Sequence, residues 1–94
     1  MYRDEYHPKV KKDLKKFDPQ TRQFIKEEII PGLLESPEIG EHLIGDLAGT
    51  RSYHFRLGKQ QYRIAYLIDE KTMTVFIQMI AKRGDFYTTL KKRI

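Results

Sequence analysis

The sequence predicts an α+β fold: an N-terminal two-helix hairpin packed on one face of a small antiparallel β-sheet, with a short C-terminal helix. Three observations carry this. Apolar residues recur at helical spacing between Val10 and Leu34. Apolar and polar residues then alternate from Tyr53 to Leu57 and again from Tyr62 to Ile68, the signature of half-buried strands. A third run, Met73 to Ile80, is apolar at nearly every position and reads as an inner strand. The helical stripe and the apolar sheet face each need a partner, and layer logic pairs them.

Taken in order, Tyr2 to Tyr6 is a short candidate edge strand. Pro8 is suited to open a helix, since its fixed φ and missing N–H cost nothing there. Val10, Leu14 and Phe17 follow as a narrow buried stripe, with Lys9, Lys11, Lys12, Lys15 and Lys16 on the surrounding surface. Asp18-Pro19 stops this helix and starts the next, with Asp as N-cap and Pro at the first helical position. Phe24, Ile25, Ile29, Leu33 and Leu34 define a second helix from Pro19 to about Glu35. Pro31 lies inside it, and a kink or an early end at Ile30 is expected there. Ser36 to Thr50, with Pro37, Gly40, Gly45 and Gly49, reads as a connection.

Next comes the hairpin. Reading Gly58 to Gln61 as a four-residue turn sets Leu57 opposite Tyr62, Arg56 opposite Arg63 and His54 opposite Ala65. Opposed residues project to the same side of a sheet, so His54, Arg56 and Arg63 share one face. Like charges directly opposed destabilise a hairpin. An anion-binding site would account for them; the competing reading is two solvated arginines on an exposed sheet face. Continuing the pairing past the Asp69–Thr72 turn sets Ile64 opposite Ile77, Tyr66 opposite Val75 and Arg63 opposite Gln78. The core face is then Tyr53, Phe55, Leu57, Tyr62, Ile64, Tyr66, Met73, Val75, Ile77 and Met79. The second face is expected to be open. Gly84 turns the chain, and Asp85 caps a last helix carrying Phe86, Tyr87 and Leu90, with Lys91, Lys92 and Arg93 at its C-terminal end.

Composition narrows the function. Ninety-four residues, 39% apolar and 33% charged, are expected to form a single domain spanning 1–94. The absence of cysteine excludes a disulfide framework and a thiolate metal site. No apolar run approaches the ~20 residues that span a bilayer, and Met1 to Tyr6 lack the apolar core of a signal peptide; the expected location is cytoplasmic, with no membrane partner. The net charge of +5 is uneven. Residues 1–50 hold 8 basic and 10 acidic side chains, while residues 51–94 hold 10 basic and 3 acidic. A basic half suggests a polyanion, most often nucleic acid; a soluble basic protein with no such partner is the alternative.

No Gly-rich phosphate loop is present. His42 has no second His or Cys at ligand spacing, so neither a metal nor any other cofactor is expected. Metal-free cleavage of RNA remains available, because RNA carries its own nucleophile, the 2′-hydroxyl. Such a reaction needs in-line alignment and neutralisation of the phosphate's added charge. Guanidinium forks match phosphate oxygens, which suits Arg56 and Arg63. His54 is a candidate for proton transfer. Tyr87 is a candidate to swing over the open face, against the reading of an ordinary half-buried tyrosine.

Several segments in this order resemble one family. They are Tyr6-His7-Pro8 with Lys12-Asp13-Leu14, Leu34-Glu35-Ser36-Pro37, Leu47-Ala48-Gly49, Arg56-Leu57-Gly58 followed by Tyr62-Arg63-Ile64-Ala65-Tyr66, and lastly Lys82-Arg83 and Tyr87. Together they resemble the RelE/ParE superfamily of bacterial type II toxin–antitoxin toxins, RelE-like branch. The resemblance implies a toxin neutralised by a cognate antitoxin, which enters the ribosomal A site and cuts mRNA, so inhibiting translation. It assigns the reaction to His54, Arg56, Arg63, Arg83 and Tyr87, although RelE has a lysine pair where this chain has His54 and Arg56. Lys9, Lys11, Lys12, Lys15, Lys16 and Lys82 are the expected RNA and ribosome contacts. The alternatives are a ParE-like toxin that inhibits DNA gyrase and an inactive member that only binds its antitoxin.

Overall fold

The computed structural model describes residues Met1–Arg93. One five-stranded sheet organises the chain, in the order β1-β5-β4-β3-β2. Its strands are β1 (Arg3–Tyr6), β2 (Glu41–His42), β3 (Arg51–Leu57), β4 (Gln60–Asp69) and β5 (Thr74–Lys82). β1 is the edge strand expected from Tyr2–Tyr6 and runs parallel to β5; the other pairings are antiparallel. The α+β architecture is the one the periodicities predict.

Helix α1 (Val10–Lys15) begins just past Pro8-Lys9. Asp18 caps α2 (Pro19–Phe24): its carboxylate accepts the Thr21 N–H at 2.8 Å. That backbone hydrogen bond is the main reason the Asp18 carboxyl lies below its ordinary pKa. The helix does not end at Ile30: it passes through a wide π turn, Ile25–Ile29, into α3 (Ile30–Glu35). Pro31 has no N–H to donate and would crowd the turn before it. A wider turn directly ahead of it relieves that crowding and lets the helix reach Glu35.

The helices bury Val10, Phe17, Ile25, Ile30, Leu33 and Leu34 against Tyr62, Ile64, Tyr66, Val75, Ile77 and Ile80 of the sheet. Aromatic packing orders one end of this core. Phe17 meets Tyr62 edge-on at 5.3 Å between ring centroids, and Phe55 stacks on the same tyrosine at 5.3 Å.

The strand registers differ from those expected. The β3–β4 turn has two residues, Gly58 and Lys59, not four. Gly58 has φ +59° and Lys59 does not enter the positive region, the pattern of a two-residue hairpin turn whose twist matches that of the strands. Gln60 and Gln61 therefore belong to β4. Leu57 pairs with Gln60, Arg56 with Gln61, Phe55 with Tyr62 and His54 with Arg63. The shift is two residues, so every side chain keeps its expected face. Between β4 and β5 the register breaks at Ala65/Tyr66: Ala65 pairs with Met79 but Tyr66 pairs with Ile77. Gln78 is thus the extra residue of a β-bulge. Arg63 lies opposite Ala81, not Gln78, and Ile64 opposite Ile80, not Ile77.

The bulge swaps faces beyond it. Ile80 joins the helix-covered core, and Met79 turns to the other side, where it packs with Leu47, Ala65, Phe86 and Leu90. Met73, expected in the core, is instead exposed in the β4–β5 turn with φ +53°. The second face is therefore not open throughout: helix α4 (Phe86–Arg93) covers part of it.

The Ser36–Thr50 connection is more ordered than a loop. It includes β2 and is pinned from the sheet. The buried Tyr66 hydroxyl donates to the Pro37 carbonyl at 2.6 Å and accepts the Gly40 N–H at 2.9 Å. A Cβ at position 40 would collide with that hydroxyl. Arg51 adds hydrogen bonds to the carbonyls of Glu38 and Gly40. Burial raises the Tyr66 phenol above its ordinary pKa. No helix among the described residues is long and apolar enough to cross a membrane.

Candidate active site

Strand alternation delivers the site. Phe55 and Tyr62 point into the helix-covered core, so their neighbours His54 and Arg63 point to the opposite side. The ladder places these two directly opposite each other, and places Arg56 opposite Gln61. The opposed arginine pair expected from the longer turn does not exist. Arg63 faces His54 and Arg56 faces Gln61, so no two guanidinium groups are directly opposed and the like-charge penalty between them is removed.

Helix α4 completes the arrangement. Beyond β5 the chain makes a tight turn at Arg83–Asp85, and Phe86 then drops into the second core. Phe86 is fully buried and Tyr87 is 45% exposed. The Arg63 guanidinium sits beneath both rings, 5.6 Å from the Phe86 centroid and 5.4 Å from that of Tyr87. Its Nη1 donates to the Tyr87 hydroxyl at 3.0 Å. The two rings meet edge to face at 5.0 Å, which holds Tyr87 upright beside the arginine. Arg63 is therefore half-buried and oriented before any ligand arrives.

Arg83 joins by a different route. Its Nη1 donates to the Gln61 side-chain oxygen at 3.2 Å. Gln61 lies opposite Arg56, so Arg83 is tied to the strand position that faces Arg56. Sequence reasoning assigned Gln61 to the turn and missed it; only the two-residue turn puts it in the strand. Of the five expected residues, Arg63 bonds to Tyr87 and lies opposite His54, while Arg83 bonds to Gln61, the residue opposite Arg56. His54, Arg56 and Arg83 are exposed.

The expected RNA-contact lysines divide from this patch. Lys9, Lys11, Lys12, Lys15 and Lys16 are exposed on and around α1. That helix packs on the opposite face through Val10 and its neighbour Phe17. Lys82 pairs with the core residue Tyr62 and shares the helix side. These lysines flank the sheet edge and do not line the patch itself. On the other flank a cleft of about 450 Å³ opens beside Tyr87 and Lys91, walled by the Glu41–Leu47 segment.

Chemically, the patch offers three guanidinium groups, an imidazole and a phenol within one exposed area. Among the described residues no group of three His, Cys, Asp or Glu is placed to hold a metal ion. The donors present match an anion with several oxygens, such as a phosphodiester.

Residues 5–91 match the family model of the ParE-like toxin of type II bacterial toxin–antitoxin systems. The chain belongs to the RelE/ParE family of type II toxins. Solved structures agree with this family assignment. A chain of the toxin–antitoxin complex RelBE2 from Mycobacterium tuberculosis is 31% identical with a TM-score of 0.74, over 87% of this chain and 98% of that one. The intact E. coli RelBE complex aligns at 21% identity and TM-score 0.68, over 87% of this chain and 96% of the other. The isolated E. coli RelE toxin aligns at 22% and 0.67, over 99% and 98% of the two chains. The E. coli likenesses carry the fold alone. A search of curated proteins finds no match.

Proposed function

We propose that this RelE/ParE-family toxin is an endoribonuclease that cuts mRNA in the ribosomal A site without a metal ion. The observation that carries the reading is Arg63: a guanidinium seated under two aromatic rings, bonded to the Tyr87 hydroxyl and facing His54 across the ladder. A phosphate charge stabiliser and two proton-transfer groups converge at one place. In the proposed step, the 2′-hydroxyl gives up its proton and its oxygen attacks the adjacent phosphorus. The bond to the 5′-oxygen breaks, and that oxygen takes up a proton. The products are a 2′,3′-cyclic phosphate and a 5′-hydroxyl. Arg63 and Arg83 offset the charge that builds on the non-bridging oxygens. Arg56 holds the backbone, and His54 and Tyr87 move the two protons.

The second part of the proposal is a cognate antitoxin. The RelBE2 and E. coli RelBE structures are toxin–antitoxin complexes. An exposed basic patch on this chain suits an acidic segment that folds as it binds and covers the site elements. Size-exclusion chromatography of the toxin with its candidate antitoxin is expected to give a complex; two separate peaks at micromolar concentration would remove this part.

Mapping mRNA ends by primer extension after induction, beside a gyrase supercoiling assay, tests the activity. Cleavage within ribosome-bound messages, cyclic-phosphate ends and a chemical step unaffected by EDTA on pre-formed complexes are expected. Ends carrying a 3′-hydroxyl would overturn the chemistry. Loss of supercoiling with intact mRNA would establish the gyrase-directed alternative, and no effect in either assay would leave an antitoxin-binding member.

A further inference from the structure

The C-terminal end of α4 is held by a contact that neither the site nor the family assignment accounts for. Arg93 and Asp13 form a two-pronged ion pair, Nη1 to Oδ2 at 2.6 Å and Nη2 to Oδ1 at 2.9 Å. Their side chains are only 7% and 6% exposed. It is the one ion pair between side chains among the described residues. It also reaches the sheet. Asp13 Oδ2 accepts the Ile80 N–H at 3.0 Å, and Arg93 Nη1 donates to the Gln78 carbonyl at 3.0 Å.

The location explains why charges are used. β1 pairs with β5 only as far as Ile77, whose carbonyl accepts the His7 N–H. Beyond that point the outer edge of β5 has no strand beside it, and the Gln78 bulge disturbs it further. Two backbone groups there would be buried without partners, which is costly. Asp13 and Arg93 supply the acceptor and the donor that a longer β1 would have supplied. An apolar pair of the same size could fill the space but could not satisfy these groups.

Arg93 closes the inward stripe of α4, which runs at i, i+4 and i+7: Phe86, Leu90, Arg93. That stripe sets the rotation of the helix. A slip of one residue would turn the helix by about 100°, withdrawing Arg93 from Asp13 and Tyr87 from Arg63 together. The apolar contacts of α4 are few and non-directional, whereas the fork accepts one geometry. We infer that Asp13 and Arg93 are positioning residues: a clasp between the first helix, the sheet edge and the last helix that seats Tyr87 over Arg63. The role in catalysis rests on the reading of the Arg63–Tyr87 patch as the cleavage site; the role in seating Tyr87 does not.

The test uses the full chain with Arg93→Met, Arg93→Lys and Asp13→Asn. Amide exchange at Tyr87 and Leu90 is expected to speed up about tenfold or more in Arg93→Met, with β3 and β4 unchanged, because local opening of α4 becomes easier. The Tyr87 ring resonances should move in the same variant, and Arg93→Lys, which keeps the charge and can keep one hydrogen bond, should lie between it and the parent. In cleavage assays kcat should fall by about tenfold or more at nearly unchanged KM, as misplacement of a reacting group does. Tyr87→Phe with Arg93→Met should cost no more than Tyr87→Phe alone, since both changes remove the same contribution. Unchanged exchange and ring resonances in Arg93→Met would overturn the clasp. So would a double variant whose loss equals the product of the single losses. If the parent itself cuts no RNA, the reading of the site fails, while the exchange and ring data still decide the seating of Tyr87. Should Arg93→Met fail to fold, Arg93→Lys and Asp13→Asn carry the same two criteria.

Discussion

The two faces of the sheet are closed in different ways. On one, five residues from the helices, Phe17 from the turn between them and six from the strands form a continuous apolar layer. On the other, five residues make a small cluster under a single short helix, and the rest is exposed. Burial on the first face is non-directional and grows with area. The second face depends on contacts with one geometry each: Arg63 with Tyr87, Arg83 with Gln61, Arg93 with Asp13. Neighbours along one strand therefore carry opposite duties. Phe55 and Tyr62 hold the fold, while His54 and Arg63, one position away, face the patch proposed to do the chemistry. A β-strand is the element that separates the two duties at single-residue spacing.

On that division, substitutions in the patch around Arg63 change rate with little change in stability. His54→Ala or Tyr87→Phe should slow cleavage of ribosome-bound mRNA by about 10²–10⁴-fold, and Arg63→Ala by a factor on the order of 10² or more. Thermal melts of the three proteins should stay close to the parent. Antitoxin binding should survive better than cleavage. A fully active Arg63→Ala protein would break the comparison from the functional side.

The converse holds on the first face. Ile64→Ala or Leu33→Ala should cost about 2–5 kcal/mol in urea unfolding. Activity per folded molecule should be preserved, because neither side chain reaches the patch. Equal losses of activity per folded molecule would show that the faces are coupled.

Tyr66 gives a smaller effect with a pH signature. Tyr66→Phe strands the Gly40 N–H and the Pro37 carbonyl, at about 1–3 kcal/mol. Burial raises the Tyr66 phenol above its ordinary value near 10. The raised pKa means that its contribution is fully present below about pH 10 and is lost as pH rises through the folded value. Alkaline unfolding of the parent should therefore be steeper than that of Tyr66→Phe. Identical alkaline profiles would remove this group from the account.

Last come the lysines around α1. Replacing Lys9, Lys11, Lys12, Lys15 and Lys16 by Gln, singly, should leave kcat alone. Each lysine that reaches a phosphate should lower the salt slope of RNA association by about 0.7. A flat series would mean that these lysines are only a solvated surface.

Local signals were legible in the sequence because each depends on residues close in the chain. Asp18-Pro19 caps and opens α2 as its chemistry suggests, and the 3.6-residue stripe marks most of the buried side, Val10, Ile25, Leu33 and Leu34, although Phe24 is exposed and Ile30 takes a place in the core. Period-two alternation assigned His54, Arg56 and Arg63 to one face without any knowledge of their partners. That assignment survived a register error of two residues, since an even shift preserves the faces.

What the sequence alone determined about this protein is its family resemblance, its layer architecture and the face on which its basic residues lie. Which residue meets which was decided only by tertiary structure. The two-residue turn at Gly58-Lys59 put His54 opposite Arg63. The bulge at Gln78 exchanged Met79 for Ile80 in the core and opened the second face to α4. Arg93 looked like one more basic residue suited to a helix C-terminus and became half of a buried ion pair with Asp13, eighty positions away. Pairing registers, bulges and long-range ion pairs are settled by competition among distant segments for the same backbone groups and the same space. No window of neighbouring residues contains that competition, so no reading of local pattern could have resolved it.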